Sequence, residues 1–309
     1  MSAFVLSTPD EVMGCLERPS KMADTAAGPV EYADAGEGSP VLCVHGGPGG
    51  YDQGLLVGEV FRKNGFRVIA PSRPGYLGTP LATGADLPGQ ADALAALLDK
   101  LGLDRVSVVG VSAAGGAVYE LAGRHPDRVS ALIPVDCVSM AYTPPVSDLE
   151  QKIFVSPLGL KLTVLLGDYL TKSAVQGMVA TESTLSREQV AERVRHITSD
   201  PLKLAYFKAM MHAIGDHGAR RVAGARNDVD RLGAITALPL SDIRCPTLVI
   251  HGDADNDVPP EHAKLAFEAI PEAEMLWIEE GSHFAFWLAD GAQQAREKAV
   301  AWLREKAAA

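Results

Sequence analysis

Six short apolar runs recur along the chain, separated by polar or glycine-rich stretches. They are rich in valine, isoleucine and leucine, and several have apolar residues at consecutive positions rather than alternating ones. Continuous apolar strands are typical of a parallel sheet that is covered on both faces. The pattern therefore predicts core strands at 40–46, 66–72, 106–112, 131–137, 246–252 and 274–281.

Two of the intervals between these runs have a helical sequence pattern. Apolar residues three and four positions apart predict helices over 90–102 and 260–270, and the first of them ends at Gly102, a common stop signal. Strands that alternate with helices in this way indicate an α/β fold with a mostly parallel, doubly wound sheet.

The alternation stops between residues 141 and 240. Helical patterns continue there, at 187–197 and 201–214, without a strand pattern to match those of the core. We therefore predict a core domain made of residues 1–140 and 241–309, interrupted by a helical cap over 141–240.

Composition and charge narrow the function classes. Acidic residues exceed basic ones, 39 to 28, so the chain has a formal net charge of −11, which argues against nucleic acid or anionic membrane as a partner. The longest runs without a charged residue have 14 residues, short of the roughly 20 needed to span a bilayer. The first residues lack the pattern of a secretory signal, so we expect a cytoplasmic protein. The expected partner is a small-molecule substrate, and a homodimer is a candidate assembly.

Candidate chemistry begins at "VVGVSAAGG" (108–116), where a predicted strand runs directly into a predicted helix. A junction this tight requires small residues two positions before and after Ser112, and Gly110 and Ala114 meet that need. The N–H of Ala113 lies at the positive end of the new helix, where it can receive a developing oxyanion. A serine that simply caps the helix is the alternative.

A serine nucleophile needs a base, and the base needs an acid. Of eight histidines, His283 follows the last core strand on a Gly-Ser turn, and we predict it as the base, whereas His45 and His251 are interpreted as structural. Four carboxylates at strand ends compete as the acid: Asp136, Asp253, Asp255 and Asp257.

The motifs that contain these residues follow one another along the chain in the order found in a known enzyme family. "HGGPGG" (45–50), "GVSAAGG" (110–116), "HGDADNDVPP" (251–260) and "GSHF" (281–284) together resemble the α/β-hydrolase-fold enzymes, over most of the chain outside the cap. The resemblance implies Ser112 as nucleophile, Asp255 as acid and His283 as base. It also implies the N–H groups of Gly47 and Ala113 as oxyanion donors, with no metal and no organic cofactor.

The resemblance leaves the reaction open. We expect a carboxylesterase for small or medium esters; a prolyl-type aminopeptidase, a C–C bond hydrolase and a non-catalytic receptor for a small ligand are the alternatives. The apolar stretch 156–170 is a candidate to line the acyl pocket, although for any single residue in it we favour packing between the cap and the core. Most acids of the cap are interpreted as solvated, namely Glu182, Glu188, Glu192, Asp216, Asp228 and Asp230.

The four cysteines have no paired spacing and are expected to be buried, reduced thiols.

Overall fold

One twisted sheet organises the chain. The computed structural model describes residues 3–144, 152–153 and 155–307. In chain order the strands are β1 (Lys21–Thr25), β2 (Gly28–Ala35), β3 (Ser39–Val44), β4 (Phe66–Pro71), β5 (Val106–Val111), β6 (Val129–Val135), β7 (Leu248–Gly252) and β8 (Glu274–Ile278). They lie side by side in the order β1-β2-β4-β3-β5-β6-β7-β8. From β4 to β8 all neighbours are parallel, and β2 pairs antiparallel with both β1 and β4. The predicted fold class is confirmed.

Helices cover both faces of this sheet. Those described are α1 (Pro9–Met13), α2 (Tyr51–Lys63), α3 (Leu87–Lys100), α4 (Gly115–Arg124), α5 (Pro157–Tyr169), α6 (Thr171–Thr181), α7 (Arg187–Ser199), α8 (Pro201–Gly215), α9 (Val222–Gly233), α10 (Glu261–Ala269), α11 (Ala285–Leu288) and α12 (Ala292–Ala307). Alternate residues of β3 enter different cores: Val41 packs in the cluster that holds Phe61 of α2, and Leu42 in the cluster that holds Leu94 of α3. This two-sided burial explains why the core strands are apolar at successive positions.

The six predicted strands correspond to β3 through β8, and the helices predicted at 90–102, 187–197, 201–214 and 260–270 to α3, α7, α8 and α10. The helix predicted to follow Ser112 corresponds to α4. The prediction missed β1 and β2, whose sequences "KMADT" and "GPVEYADA" carry charged residues. Both lie at the antiparallel edge of the sheet, where β1 is largely exposed. An edge strand tolerates polar residues that a central strand does not, so its apolar signal is weak.

Helices α5 to α9 lie between β6 and β7, within the predicted insertion 141–240. Residues 145–151 and 154 of that range lie outside the described residues. Helix α8 is the most buried of the five, and its Phe207 packs in the same apolar cluster as Phe61 of α2. The inserted helices therefore share a core with the sheet, and the domain division stays a prediction from the sequence.

Two further predictions concern the cysteines and membrane-spanning helices. All four cysteines are buried and none forms a disulfide, as predicted. Among the described helices, none is both long and apolar enough to cross a membrane.

Candidate active site

Ser112 lies on the strained turn that the sequence predicts. It follows β5 directly and has a φ of 55°, a left-handed conformation that side chains other than glycine rarely adopt. A Cβ placed on Gly110 would lie 2.7 Å from the Val118 side chain, and one on Gly115 would lie 2.1 Å from the carbonyl oxygen of Val138. Strand, turn and helix α4 are therefore packed as tightly as the glycines allow.

Three of the predicted residues form one chain of hydrogen bonds. Ser112 Oγ lies 2.9 Å from Nε2 of His283, and Nδ1 of the same ring lies 2.8 Å from Oδ2 of Asp255. The other carboxylate oxygen of Asp255 accepts the N–H groups of Asp257 and Val258, at 2.9 and 3.0 Å. These bonds fix the direction of the carboxylate, which in turn fixes the imidazole ring.

The geometry distinguishes the four competing carboxylates. Asp253 is exposed and accepts only the N–H of Gly281, at 3.3 Å. Asp136 is buried, and its Oδ1 accepts the N–H of Gly252 at 2.9 Å. Asp257 lies on the other side of the ring, with Oδ2 3.4 Å from Nε2 of His283. Asp255 is the carboxylate that faces Nδ1.

Two carboxylates set the proton affinity of His283. Burial by itself would lower the pKa of the imidazole, but the charges of Asp255 and Asp257 and the hydrogen bond to Asp255 raise it well above its ordinary value. A neutral ring is the form that can accept a proton from Ser112. The fraction of His283 that can act as a base therefore increases with pH.

The glycine loop after β3 lies against the Ser112 turn. A Cβ on Gly46 would lie 3.1 Å from Cβ of Ser112, and one on Gly47 would lie 3.3 Å from Cβ of Ala113. A side chain also fixes the position of this loop, because the N–H of Gly46 donates to Oε1 of Gln53 at 2.8 Å. The two segments that carry the predicted oxyanion donors, Gly47 and Ala113, are therefore adjacent.

Sequence reasoning missed a buried ion pair beside this loop. Arg73 donates to both carboxylate oxygens of Asp228 in α9, at 2.7 and 2.6 Å, and also to the carbonyl oxygens of His45 and Gly46, each at 3.0 Å. The hydroxyl of Tyr76 donates to the same carboxylate. Arg73 and Asp228 are 155 positions apart, so no local pattern links them. The pair joins the inserted helices to the glycine loop.

A cavity of about 330 Å³ opens over Ser112. Its wall combines apolar side chains from the inserted helices with the strand-end loops, including Val155, Met210, Ile214, Val229, Leu232 and Phe284. The prediction that residues 156–170 line this pocket is wrong. Within that stretch Leu160 is buried against Gly215 and Gly218 of the neighbouring segments, whereas Leu158 and Tyr169 are 67% and 80% exposed.

The interpretation of the cap acids as solvated needs correction at two positions. Glu188, Glu192 and Asp230 are exposed, in agreement with it. Asp228 is buried in the ion pair with Arg73, and Glu182 turns into the pocket wall. Burial and the nearby Asp257 raise the pKa of Glu182 well above its ordinary value. Among the described residues that line the cavity there is no lysine or arginine.

Among the described residues, one set of side chains has the spacing of cation ligands. Ligand atoms of Asp136, His251 and Asp255 lie within 4.8 Å of one another, all buried. Both oxygens of Asp255 already accept hydrogen bonds, and Nε2 of His251 lies 2.8 Å from the carbonyl oxygen of Val258. By contrast, Nδ1 of His251 and Oδ2 of Asp136 are buried without a hydrogen-bond partner among the described residues. The set therefore combines atoms that support the acid loop with two atoms that are free.

Comparison with known proteins agrees with the fold. A profile described as the alpha/beta hydrolase fold matches residues 39–290. The chain therefore belongs to the α/β hydrolase fold family, whose members place a nucleophile on a strand-to-helix turn.

Several individual proteins are similar to the chain over most of its length. A solved α/β hydrolase fold protein from Nakamurella multipartita is 38% identical, with a TM-score of 0.88 over 94% of this chain and 100% of that one. An uncharacterized hydrolase of Bacillus subtilis, YcgS, is 27% identical over 84% of this chain and 90% of its own. A 2-hydroxymuconate semialdehyde hydrolase of Pseudomonas putida is 29% identical over 78% and 79%. The family and these relatives support hydrolase activity.

Proposed function

We propose that this chain is a serine hydrolase that cleaves small to medium carboxylic esters through an acyl-enzyme. The observation that carries the proposal is the unbroken chain from Ser112 Oγ through His283 to Asp255, at 2.9 and 2.8 Å, on the floor of a largely apolar cavity. A serine that only capped a helix would have no need of an oriented imidazole within hydrogen-bond reach.

The mechanism follows from the positions of the groups. His283 Nε2 takes the proton of Ser112 while Oγ bonds to the ester carbonyl carbon, and Asp255 stabilises the imidazolium that forms. The N–H groups of Gly47 and Ala113 receive the oxyanion. His283 then gives its proton to the leaving alcohol oxygen, and the C–O bond breaks. Water, deprotonated by the same ring, then attacks the acyl carbon. His283 returns that proton to Ser112 Oγ as the bond from Oγ to the acyl carbon breaks, which releases the acid and restores Ser112.

The charges in the wall favour an ester over the substrates named for several relatives. Those names, such as 2-hydroxy-6-oxo-6-phenylhexa-2,4-dienoate hydrolase, denote carboxylates. A buried carboxylate needs a paired cation, yet the described lining offers no lysine or arginine. It includes Glu182 and Asp257, whereas the third acid of the lining, Asp228, is already neutralised by Arg73. This lining supports neutral or cationic substrates, and the C–C bond hydrolase is the weaker candidate.

A fluorophosphonate probe and a series of p-nitrophenyl esters of increasing acyl length test the proposal. We expect the probe to label the wild-type protein and the Ser241→Ala control, whose serine is exposed on the surface, but not Ser112→Ala. Ester hydrolysis should fall by about 10⁴-fold or more in Ser112→Ala. A folded wild-type protein that neither reacts with the probe nor turns over any ester would contradict the proposal and favour the non-catalytic receptor.

The other expectations concern the environment of the protein. Its cytoplasmic location and its assembly as a homodimer stay predictions from the sequence, and the small-molecule substrate is part of the proposal above.

A further inference from the structure

Two carboxylates in the pocket wall take no direct part in the bond changes of the mechanism proposed above. Asp257 lies two positions after Asp255, and its Oδ1 accepts the hydroxyl of Tyr142 at 2.9 Å. Its Oδ2 lies 3.4 Å from Nε2 of His283, the nitrogen that also contacts Ser112. Asp257 therefore places negative charge beside the reacting groups.

Glu182 reaches the same wall from the end of α6. Its carbonyl oxygen accepts the N–H groups of Asn256 and His283, at 3.2 and 3.4 Å, so its backbone is attached to both loops that carry the acid and the base. Its carboxylate oxygen Oε2 is shielded from solvent and has no hydrogen-bond partner in the described part of the chain. An unpaired buried carboxyl oxygen is costly unless something in the pocket satisfies it.

Among the described residues that line the cavity there is no lysine or arginine, and His283 is the one cationic side chain beside this pair. Burial and the charge of Asp257 raise the pKa of Glu182 well above its ordinary value, although the charge of His283 acts in the opposite direction. The rings of Tyr142 and Phe284 line the same cavity. Aromatic faces attract cations, so rings and carboxylates favour the same kind of ligand.

We propose that Glu182 and Asp257 form a subsite for a cationic group in the alcohol part of the ester, an inference that rests on the proposed esterase function. His283 Nε2 gives its proton to the leaving alcohol oxygen, so that oxygen must come within hydrogen-bond reach of Nε2. Asp257 lies 3.4 Å from this atom. The subsite is therefore on the leaving-group side, suited to a cation separated from the ester oxygen by a short spacer of about two carbons.

A matched pair of esters tests this subsite. One is 2-(trimethylammonio)ethyl butanoate, and the other is 3,3-dimethylbutyl butanoate, which has the same shape without the charge. Their dissociation constants are measured by calorimetry at pH 8.5 on the Ser112→Ala protein, so that binding is read without hydrolysis. We expect the cationic ester to bind about tenfold more tightly or better, a difference of about 1.4 kcal/mol.

Glu182→Gln on this background should reduce the preference for the cationic ester at least several-fold. Glu188→Gln is the matched control, since Glu188 is an exposed acid of the same inserted segment, and it should keep the full preference. Asp257→Asn provides a second variant in case Glu182→Gln does not fold, and it should reduce the preference as well. Equal or tighter binding of the neutral ester to the Ser112→Ala protein would overturn the subsite, as would an unchanged preference in both folded variants.

Turnover by the wild-type protein separates this inference from the function on which it rests. Charge-selective binding with no hydrolysis of either ester would leave the subsite in place and contradict the esterase. Hydrolysis of both esters without charge-selective binding would contradict the subsite alone.

Discussion

The pocket is built from two regions that differ in how they encode their chemistry. The strand-end loops supply Ser112, Asp255 and His283, each within a short motif that the sequence displays. The inserted segment supplies Glu182, directly after helix α6, and Asp228 in helix α9, and neither lies in a motif that the sequence displays. Local backbone geometry forces particular residue types on the first region, whereas long-range packing alone selects the residues of the second.

The two regions also differ in what their carboxylates do. Asp255 in the strand-end region is held by two N–H groups and faces a ring nitrogen, so its charge is directed at one atom. Asp228 in the inserted region is neutralised by Arg73 and joins helix α9 to the glycine loop. Substitutions in the first region should affect rate, and those in the second stability or selectivity.

The largest expected effect is that of Asp255→Asn. An amide in this position still accepts hydrogen bonds but no longer stabilises the imidazolium, and it favours the wrong ring tautomer. We expect kcat on a p-nitrophenyl ester to fall by about 10⁴-fold. Asp253→Asn is the control, since Asp253 is exposed, and it should leave kcat nearly unchanged. Near-normal turnover of the Asp255 variant would mean that another carboxylate serves as the acid.

The second effect is on stability and involves the inserted region. Arg73→Met leaves the buried carboxylate of Asp228 without its two charge-assisted hydrogen bonds, so the free energy of unfolding should fall by about 3–5 kcal/mol. Arg124→Met is the matched control, because it removes an exposed pair with Asp92 at 3.4 Å and should cost about 1 kcal/mol or less. Urea unfolding measures both. Similar losses in the two variants would contradict a special role of the buried pair.

The comparison of the two regions also explains which parts of the structure the sequence predicts. Strands β3 to β7 are largely buried, and their apolar runs indicate them, whereas β1 and β2 at the antiparallel end of the sheet carry charged residues and have no such run. The turn at Ser112 is predictable because its geometry demands small neighbours. The lining of the pocket cannot be predicted in this way, since an apolar sequence does not say which way each side chain points. Within 156–170, Leu160 faces the core while Leu158 faces solvent.

Gly47→Ala tests the strand-end region at the point where it meets the inserted one. A Cβ at this position would lie 2.7 Å from Oδ2 of Asp228 and 3.1 Å from the hydroxyl of Tyr76, so the loop must shift and with it the predicted oxyanion donor. We expect kcat to fall by about 10²-fold, comparable to the loss of one oxyanion donor. Gly177→Ala is the control, since its added methyl meets nothing within 4 Å and it lies in helix α6. Unchanged kcat in the Gly47 variant would remove this loop from the mechanism.

The smallest effect is a shift in pH dependence and separates Asp257 from Asp255. Only neutral His283 accepts the serine proton, so kcat/KM should rise with pH through the pKa of this ring, which its carboxylate neighbours hold above the ordinary value. Asp257→Asn removes one negative charge near the ring and therefore lowers that pKa. The rising limb of the profile should then move to lower pH, whereas Asp253→Asn should leave it in place. A limb that stays where it is in the Asp257 variant, measured with a neutral ester, would show that Asp257 does not act on the ring.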